Sequence, residues 1–447
     1  MNDYIARVSE NLRRQYAHEP EYLQSVQAWL DMIAPAAGDP RYERLDLLTR
    51  MVEPERMFTF LVPWQDDSGK IRTNHGYRVQ FSSAIGPYKG GLRFHPSVTP
   101  SVVKFLGFEQ TYKNALTGLP IGGAAGGADF DPRGKSRREI MRFCQSFMFS
   151  LYRYIGSDTD VPAGDIGVGS REIGYLYGAY KRVTGRAESS ALTGKGLTYG
   201  GSRVRQAAAG FGTVYFLARM LERQGESLEG KRLIVSGFGN MSWGVCRKAA
   251  ELGAKVVTLS GPDGYVYDPD GVAAQEKYDF MVTMRYSGED RVEPYAEKFG
   301  VEFFPGKKPW EVPGDAALPC ATENELDVED AILLLANGVR YYVEGANMPA
   351  TAGALKLLRL SPKILTAGAK ASGSGGVAVS ALEMVQNSLR YSWSRREVDG
   401  KLRSIMSSIY DASAAAAEEY GLGYDLIAGN DIAAFKKISE AMIAQGL

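Results

Sequence analysis

Apolar side chains recur at helical spacing in many parts of the chain, and residues 101–116 are a clear example. Phe108 and Tyr112 lie four positions apart, so a helix places both rings on one side. The same helix places Gln110 and Lys113 together on another side. The pattern predicts a helix that buries aromatic rings and presents two polar groups elsewhere.

A second helix is predicted after Ser136, because Glu139 follows three residues later and the two form a capping-box signature. Apolar residues then continue along one stripe through Ile140, Phe143 and Phe147. Helices with one apolar stripe can cover a sheet, so we expect the N-terminal part of the chain to be a mixed α/β domain.

Glycines become frequent near residue 200, and a helix is predicted over 207–223. Residues 231–236 predict a strand, the turn after them leads into a helix that ends near Leu252, and 255–259 predict the next strand. A strand, a helix and a strand in this order form the repeating unit of a parallel sheet.

Further strands are predicted at 316–318, 339–343 and 364–366, and the chain is mainly helical after Gly376. These elements extend the parallel sheet to doubly wound size. The predicted fold class is α/β, with an N-terminal mixed α/β domain and a Rossmann-like doubly wound dinucleotide-binding domain.

Composition narrows the range of functions. The 447 residues include 52 basic and 52 acidic side chains, so no overall charge favours nucleic acid or a membrane surface. Three widely separated cysteines argue against a disulfide framework, and three histidines without ligand spacing argue against a zinc site. No segment reaches the roughly 18 apolar residues of a membrane span. We expect a cytoplasmic protein that binds a small molecule and no metal.

Two lysines stand beside glycine-rich segments in the N-terminal half. Lys89 is followed by Gly90 and Gly91, and Lys113 precedes the run 122–127. Small residues let a ligand approach the backbone closely, and two ammonium groups suit a dianionic organic acid. The alternative is that both lysines are ordinary solvated side chains.

The turn after the strand at 231–236 is a candidate nucleotide site. Gly237 and Gly239 match the first two positions of G-x-G-x-x-G, and Ser242 replaces the third. The preceding strand and the N-terminal amides of the following helix favour a dinucleotide over a plain tight turn.

The choice of dinucleotide rests on the segment at 260–264. Asp263 is a candidate for a ribose hydroxyl, and no basic side chain in this segment would receive a 2′-phosphate. This favours NAD over NADP, the alternative being that the segment is only a surface turn.

From about Glu55 to Gln445 the chain resembles glutamate dehydrogenases, of the Glu/Leu/Phe/Val dehydrogenase superfamily and its hexameric bacterial type. Five stretches carry the resemblance: Pro87–Phe94, Lys104–Gln110, Asp158–Asp165, Pro319–Thr322 and Glu344–Pro349. So many matches in the same order indicate membership of that family.

The resemblance implies roles for five residues at the substrate. Lys89 and Ser380 match residues that bind the side-chain carboxylate of glutamate. Gln110 and Lys113 match residues at its α-carboxylate. Asp165 matches the acid that moves protons to and from the amino nitrogen.

The resemblance also implies a cofactor site. Gly237, Gly239, Asn240 and Met241 match the pyrophosphate turn, and Asn347 lies at the nicotinamide end. The implied cofactor is NAD, with NADP left open, and Asp263 belongs to the same predicted site.

The resemblance implies a division into three parts. Residues 1–200 would bind substrate and form the oligomer, 201–375 would bind NAD, and 376–447 would be helices that pack back towards the first domain. The implied assembly is a homohexamer, either alone or mixed with an active paralogue. The implied substrate is a dicarboxylate such as glutamate or 2-oxoglutarate.

Several positions depart from the family pattern. Ala125 stands where Pro-Met-Gly-Gly-x-Lys-Gly-Gly has its catalytic lysine, and Ala209 stands where a threonine holds the nicotinamide amide. Gly373 replaces an asparagine beside the substrate, and Ala350 replaces a threonine. Each change removes a polar group from the implied site.

Three functions remain open at this point. The first is NAD(P)-dependent oxidative deamination of glutamate to 2-oxoglutarate and ammonia, impaired or altered because of Ala125. The second is a catalytically inactive paralogue that acts as a ligand-binding or hetero-oligomer subunit. The third is a dehydrogenase for a different amino acid.

Overall fold

The computed structural model describes residues 3–446. Its strands are β1 (Arg56–Gln65), β2 (Ile71–Ser82), β3 (Tyr88–Phe94), β4 (Gly123–Ala128), β5 (Asp160–Gly164), β6 (Arg232–Val235), β7 (Lys255–Val256), β8 (Thr258–Gly261), β9 (Gly264–Tyr267), β10 (Glu302–Pro305), β11 (Ala316–Leu318), β12 (Tyr341–Val343) and β13 (Leu365–Ala367). Its α-helices are α1 (Asp3–Gln15), α2 (Pro20–Ile33), α3 (Pro40–Arg44), α4 (Leu47–Val52), α5 (Pro100–Leu116), α6 (Arg137–Leu151), α7 (Ser170–Thr184), α8 (Ala208–Arg223), α9 (Asn240–Glu251), α10 (Gln275–Ser287), α11 (Glu293–Phe299), α12 (Val328–Ala336), α13 (Ala352–Leu360), α14 (Ala369–Ser372), α15 (Gly375–Leu389), α16 (Arg395–Glu419) and α17 (Leu426–Ala444). Over this range no helix is both long and apolar enough to cross a membrane.

The chain divides into two compact units. The first contains the residues up to Arg203, the segment Ala378–Val398 and the residues from Asp431 onwards. The second contains Val204–Val377 and Asp399–Asn430. The C-terminal helices are therefore shared between the two units.

A five-stranded sheet forms the centre of the first unit, in the order β1-β2-β4-β3-β5. β2 pairs antiparallel with β1 and β4, whereas β3 pairs parallel with β4 and β5. Helices α6 and α7 cover one face, where Leu92 and Phe94 pack with Phe143, Phe147 and Leu176. Helix α5 packs against β2 and β4. The mixed α/β fold predicted for this part of the chain is confirmed.

Two helices of the first unit form as their sequences predict. The capping box begins α6, since Ser136 Oγ accepts the Glu139 N–H at 3.1 Å and Glu139 Oε2 accepts the Ser136 N–H at 2.8 Å. On α5, Phe108 and Tyr112 lie against Trp29, with ring centroids 5.5 and 4.5 Å away. Helical periodicity thus located the buried face of α5, and the capping-box signature located the first turn of α6.

The second unit contains a parallel sheet in the order β13-β12-β11-β6-β7. Helices connect its strands, which confirms the predicted Rossmann-like sheet. The predicted single strand at 255–259 is wrong. β7 ends at Val256, and β8 pairs with β9 in a separate antiparallel sheet of order β10-β9-β8. The strand divides because the turn at Pro262 and Asp263 folds the chain back and supplies β8 with a new partner.

Candidate active site

The strand β3 presents a lysine on the face of the sheet where α5 lies. Side chains alternate along a strand, so Lys89, Gly91 and Arg93 point away from Leu92, which packs against α6. On β4, Gly126 is the register partner of Leu92, so Ala125 lies on the same side as Lys89. This side of the sheet is therefore the candidate substrate face.

Small residues on β4 allow α5 to approach the strand closely. A Cβ added at Gly123 would overlap Thr111 of α5, so a larger residue would push the helix away. Ala125 is the register partner of Val79 and its side chain is buried. Position 125 thus presents only a methyl group on this side of the sheet.

Lys89 is held by a chain of polar groups. The lysine is 1% exposed, and its Nζ donates to Thr193 Oγ1 at 2.7 Å and to the Val161 carbonyl at 3.3 Å. Thr193 Oγ1 also lies 2.6 Å from Ser380 Oγ. The structure therefore brings Lys89 and Ser380 together through a threonine that sequence analysis missed. No periodicity ties Thr193 to a lysine 104 positions earlier.

One of the two polar residues predicted on α5, Gln110, is linked to the strand that carries Lys89. Gln110 Nε2 donates to Asn114 Oδ1 at 2.7 Å, and Asn114 Nδ2 donates to the Lys89 carbonyl at 3.0 Å. Asn114 is fully buried and joins α5 to β3. Its side chain therefore connects Gln110 to the backbone of Lys89.

Lys113 carries the second ammonium group that the sequence predicts for the substrate. Among residues 3–446 it has no hydrogen-bond partner. Burial lowers the pKa of Lys113 to about 8, and the negative charges of Glu109 and Asp165 oppose that shift. A lysine with this pKa is available to a carboxylate ligand near neutral pH.

The proposed acid Asp165 follows β5 and is held by an arginine. Arg93 Nε donates to Asp165 Oδ2 at 2.8 Å, and about a third of the Asp165 side chain is exposed. A Cβ added at Gly91 would lie 2.9 Å from Asp165 Cβ, so glycine permits this approach. Arg93 was not predicted as a site residue, although it lies in the same stretch, 87–94, as Lys89.

A buried ion pair lies on the other face of this sheet from Lys89. Arg78 and Asp160 are fully buried and paired, with Arg78 Nε donating to Asp160 Oδ2 at 2.9 Å. Arg78 Nη1 also donates to the carbonyls of Gly90 and Gly91 at 3.3 Å each. The pair therefore fixes the backbone next to Lys89, although neither residue was predicted.

In the second unit, Gly237 forms the turn that follows β6. Its φ of 75° lies in the left-handed region, and an added Cβ would meet Ala321 Cα at 3.1 Å and Ser242 Oγ at 3.0 Å. Its N–H donates to Ser260 Oγ at 2.9 Å. Ser242, the third fingerprint position, donates to the Ser236 carbonyl at 2.8 Å. The turn needs glycine at its first position.

The helix after this turn offers its N-terminus to a phosphate. Gly239 precedes α9 and a Cβ there would meet no atom within 4 Å, while Asn240 begins the helix. The first amides of a helix lack partners within the helix and suit an anion. Asn240 Oδ1 accepts from Arg285, a cation that sequence analysis missed. These residues fit the diphosphate of a dinucleotide.

Close packing holds Met241 in place. A Cβ added at Gly210 of α8 would overlap the Met241 carbonyl and lie 2.5 Å from the Val245 amide nitrogen. Across the turn, a Cβ added at Gly345 would lie 3.4 Å from Met241 Cγ. The loop after β12 therefore approaches Met241 at the start of α9, and exposed Asn347 lies in that loop.

Asp263 has a structural contact in the β8–β9 turn. Its Oδ1 and Oδ2 accept the Val292 N–H at 2.9 and 3.0 Å, and Oδ2 accepts the Glu293 N–H at 3.0 Å. The carboxylate therefore caps the start of α11. The structure places it at a turn, as the alternative interpretation had it, and contact with a ribose stays a prediction.

Comparisons with known proteins identify the family. Residues 200–446 match the model for Glutamate/Leucine/Phenylalanine/Valine dehydrogenase, and residues 54–182 match the dimerisation domain of the same dehydrogenases. The NAD-specific glutamate dehydrogenase of Clostridium symbiosum is 55% identical over 100% of both chains. The NADP-specific glutamate dehydrogenase of Psychrobacter sp. is 49% identical over 99% of both chains.

Solved structures agree with this result. A glutamate dehydrogenase structure with 55% identity superposes with a TM-score of 0.98 over 100% of both chains. The hetero-hexameric glutamate dehydrogenase from Thermus thermophilus, in its Leu-bound form, has 29% identity and a TM-score of 0.82, and the match covers 95% of this chain and 96% of that one. The chain belongs to the glutamate dehydrogenase family, within the Glu/Leu/Phe/Val dehydrogenases.

Proposed function

We propose that this chain binds glutamate and NAD and carries out oxidative deamination to 2-oxoglutarate and ammonia, at a rate limited by the alanine at position 125. The observation that carries the proposal is the buried Lys89, oriented by Thr193 and next to Ser380, on the same sheet face as Ala125. A buried ammonium group in a polar chain suits an anionic side chain better than an apolar one.

The residues divide the work as follows. Lys89, Thr193 and Ser380 hold the side-chain carboxylate, and Gln110 and Lys113 hold the α-carboxylate. Holding both ends fixes the α-carbon, which lowers the entropic part of the barrier.

Proton transfer falls to Asp165, which Arg93 keeps in one orientation. A nicotinamide cofactor bound in the second unit would supply the acceptor for the hydride from the α-carbon. Water must then add to the substrate imine, and Ala125 has no group that activates it. Loss of a general acid or base costs about 10² to 10⁴ in rate.

Cofactor binding is proposed for the turn of the second unit. Gly237, Gly239, Asn240 and Met241 would hold the diphosphate, and Asn347 would lie at the nicotinamide. The similar proteins include NAD-specific and NADP-specific enzymes. We favour NAD because no basic side chain lies in the segment around Asp263.

The first test restores the missing ammonium group. We expect Ala125→Lys to raise the rate of NADH oxidation with 2-oxoglutarate and ammonium by about 10² to 10⁴. Ala125→Met is the matched control, because methionine fills similar space without a charge, and its rate is expected to stay at the level of the unchanged protein. Folded Ala125→Lys protein without any turnover would contradict the proposal.

A second candidate is a non-catalytic subunit that binds ligands inside a mixed hexamer. It is favoured by the loss of polar groups at Ala125, Ala209 and Gly373, and the Thermus thermophilus relative is described as hetero-hexameric. Calorimetry with NAD and 2-oxoglutarate, together with co-purification with an active paralogue, tests it. Ordinary turnover by the pure chain would exclude it.

The third candidate, a dehydrogenase for a different amino acid, requires a panel of 2-oxo acids to show a better ligand than 2-oxoglutarate.

A further inference from the structure

A fully buried ion pair lies next to the polar chain that holds Lys89. Lys195 Nζ lies 2.7 Å from Glu383 Oε1, and both side chains have 0% exposure. Lys195 also donates to the Leu192 carbonyl. Glu383 accepts the N–H of Gly194 at 3.2 and 3.0 Å and the N–H of Lys195 at 3.3 Å. The ion pair therefore holds backbone groups of Leu192, Gly194 and Lys195, within the segment 192–195.

That segment contains Thr193, the residue that orients Lys89. Ser380 and Glu383 lie three positions apart on α15, so they project from one side of the helix. Ser380 contacts the Thr193 hydroxyl at 2.6 Å, and Glu383 holds the amides that follow it. Helix α15 thus contacts the segment at two adjacent positions. One of these contacts, from Ser380, is to the same Thr193 hydroxyl that accepts from Lys89.

Stability alone does not account for such a pair. Removing two charges from water is costly, and buried pairs can often be replaced by uncharged residues without loss of stability. Burial lowers the pKa of Lys195, and the adjacent Glu383 opposes that shift. The pair instead fixes the position of Thr193, because its hydrogen bonds hold the backbone groups on both sides of that residue.

We propose that Lys195 and Glu383 are positioning residues, which hold Thr193 and Ser380 where they orient Lys89 and so make the site selective for a ligand with a second carboxylate. The inference rests on the proposed function. The pair acts through Thr193 and is not itself assigned to contact the ligand.

The test uses a variant that removes both charges and keeps the volume, Lys195→Met with Glu383→Gln. Calorimetry compares 2-oxoglutarate with 2-oxopentanoate, which has the same chain length and lacks the second carboxylate, and with NAD. We expect the affinity for 2-oxoglutarate to fall about tenfold to a hundredfold, as for a lost charge-assisted hydrogen bond. The affinities for 2-oxopentanoate and NAD are expected to stay unchanged.

Two further variants trace the effect to its source. Thr193→Val removes the hydroxyl and keeps the shape, so it should cause the same selective loss, and adding it to the double variant should cause little more. The control is another pair in the first unit, Lys104 and Glu19, which lie 2.9 Å apart and are mostly buried. Lys104→Met with Glu19→Gln should leave the preference for 2-oxoglutarate intact.

Each outcome decides between the possibilities. A double variant that is as selective as the unchanged protein, or that weakens all three ligands equally, would overturn the positioning role while leaving the proposed function standing. If the unchanged protein itself shows no preference for 2-oxoglutarate over 2-oxopentanoate, the proposed function fails, and the inference fails with it.

Discussion

At the scale of single residues, the first unit combines cations of different character. Lys89 is buried and fixed by hydrogen bonds, whereas Lys113 has no hydrogen-bond partner within residues 3–446. Arg93 is committed to Asp165. The two lysines can therefore serve two carboxylates, and the arginine serves the protein's own acid.

The pKa of Lys113 leads to a prediction about pH. Burial lowers that pKa to about 8, so the amine loses its charge as the pH rises through that value. If it holds the α-carboxylate, the affinity for 2-oxoglutarate should be constant below about pH 7 and should fall by up to about tenfold per pH unit above the pKa. Calorimetric titrations between pH 6.5 and 9.5 measure this.

Lys113→Arg supplies the comparison, since an arginine stays charged over the whole range. We expect weaker binding at neutral pH, because the geometry changes, and no decline between pH 8 and 9.5. A decline of the same size in both proteins would assign the effect to another group.

At the scale of elements, the contact between α8 and α9 determines the position of the turn after β6. Gly210 lets the two helices approach until an added Cβ would overlap the Met241 carbonyl. The usual fingerprint has a small residue at its third position, which is Ser242 here. This fold also requires a small residue on α8, at Gly210.

We therefore expect Gly210→Ala to destabilise the second unit by about 1–3 kcal/mol through overpacking and to weaken NAD binding by displacing Met241. Gly400→Ala is the matched control in α16, where an added Cβ meets no atom within 4 Å. It should stabilise the protein by about 0.5–1 kcal/mol, because alanine is the better helix former, and should leave NAD affinity unchanged. Thermal unfolding and calorimetry measure both effects. Equal effects of the two substitutions would contradict this account of the helix contact.

At the scale of the whole molecule, buried acids in the second unit should make stability depend on pH. Burial raises the pKa of Glu344 to about 7, an effect that the Ala369 N–H, which donates at 3.0 Å, and the Tyr342 hydroxyl at 3.3 Å partly oppose. Burial likewise raises the pKa of Glu325 to about 7. Burying either group costs less free energy when the carboxyl is protonated than when it is charged, so protonation favours the folded state.

Because the folded pKa of Glu344 lies above the unfolded value, its contribution to stability is complete below about pH 4.5 and is lost as the pH rises through about 7. Glu344→Gln cannot ionise, so the variant should gain up to about 3 kcal/mol relative to the unchanged protein between pH 5 and 8. Denaturant unfolding at several pH values measures this gain. Exposed Glu329→Gln should show a constant difference, and a constant difference for Glu344→Gln as well would refute the prediction.

Local patterns in the sequence predicted the elements well. The capping box at Ser136, the buried face of α5 and the turn at Gly237 depend on residues a few positions apart, whose geometry is set by the backbone of one element. The strand at 255–259 failed because its partner β9 comes from a hairpin, and pairing is not encoded within the strand itself.

The sequence by itself determined most of the helices and strands that its patterns predict and the glycine turn after β6, and its resemblance to a family indicated Lys89, Lys113 and Asp165. Only the tertiary structure decided that Thr193 joins Lys89 to Ser380, and that Asp263 caps α11. The physical reason is distance along the chain. Contacts between residues that lie 29 to 187 positions apart leave no periodic trace, because they arise from the packing of elements whose spacing the sequence does not record.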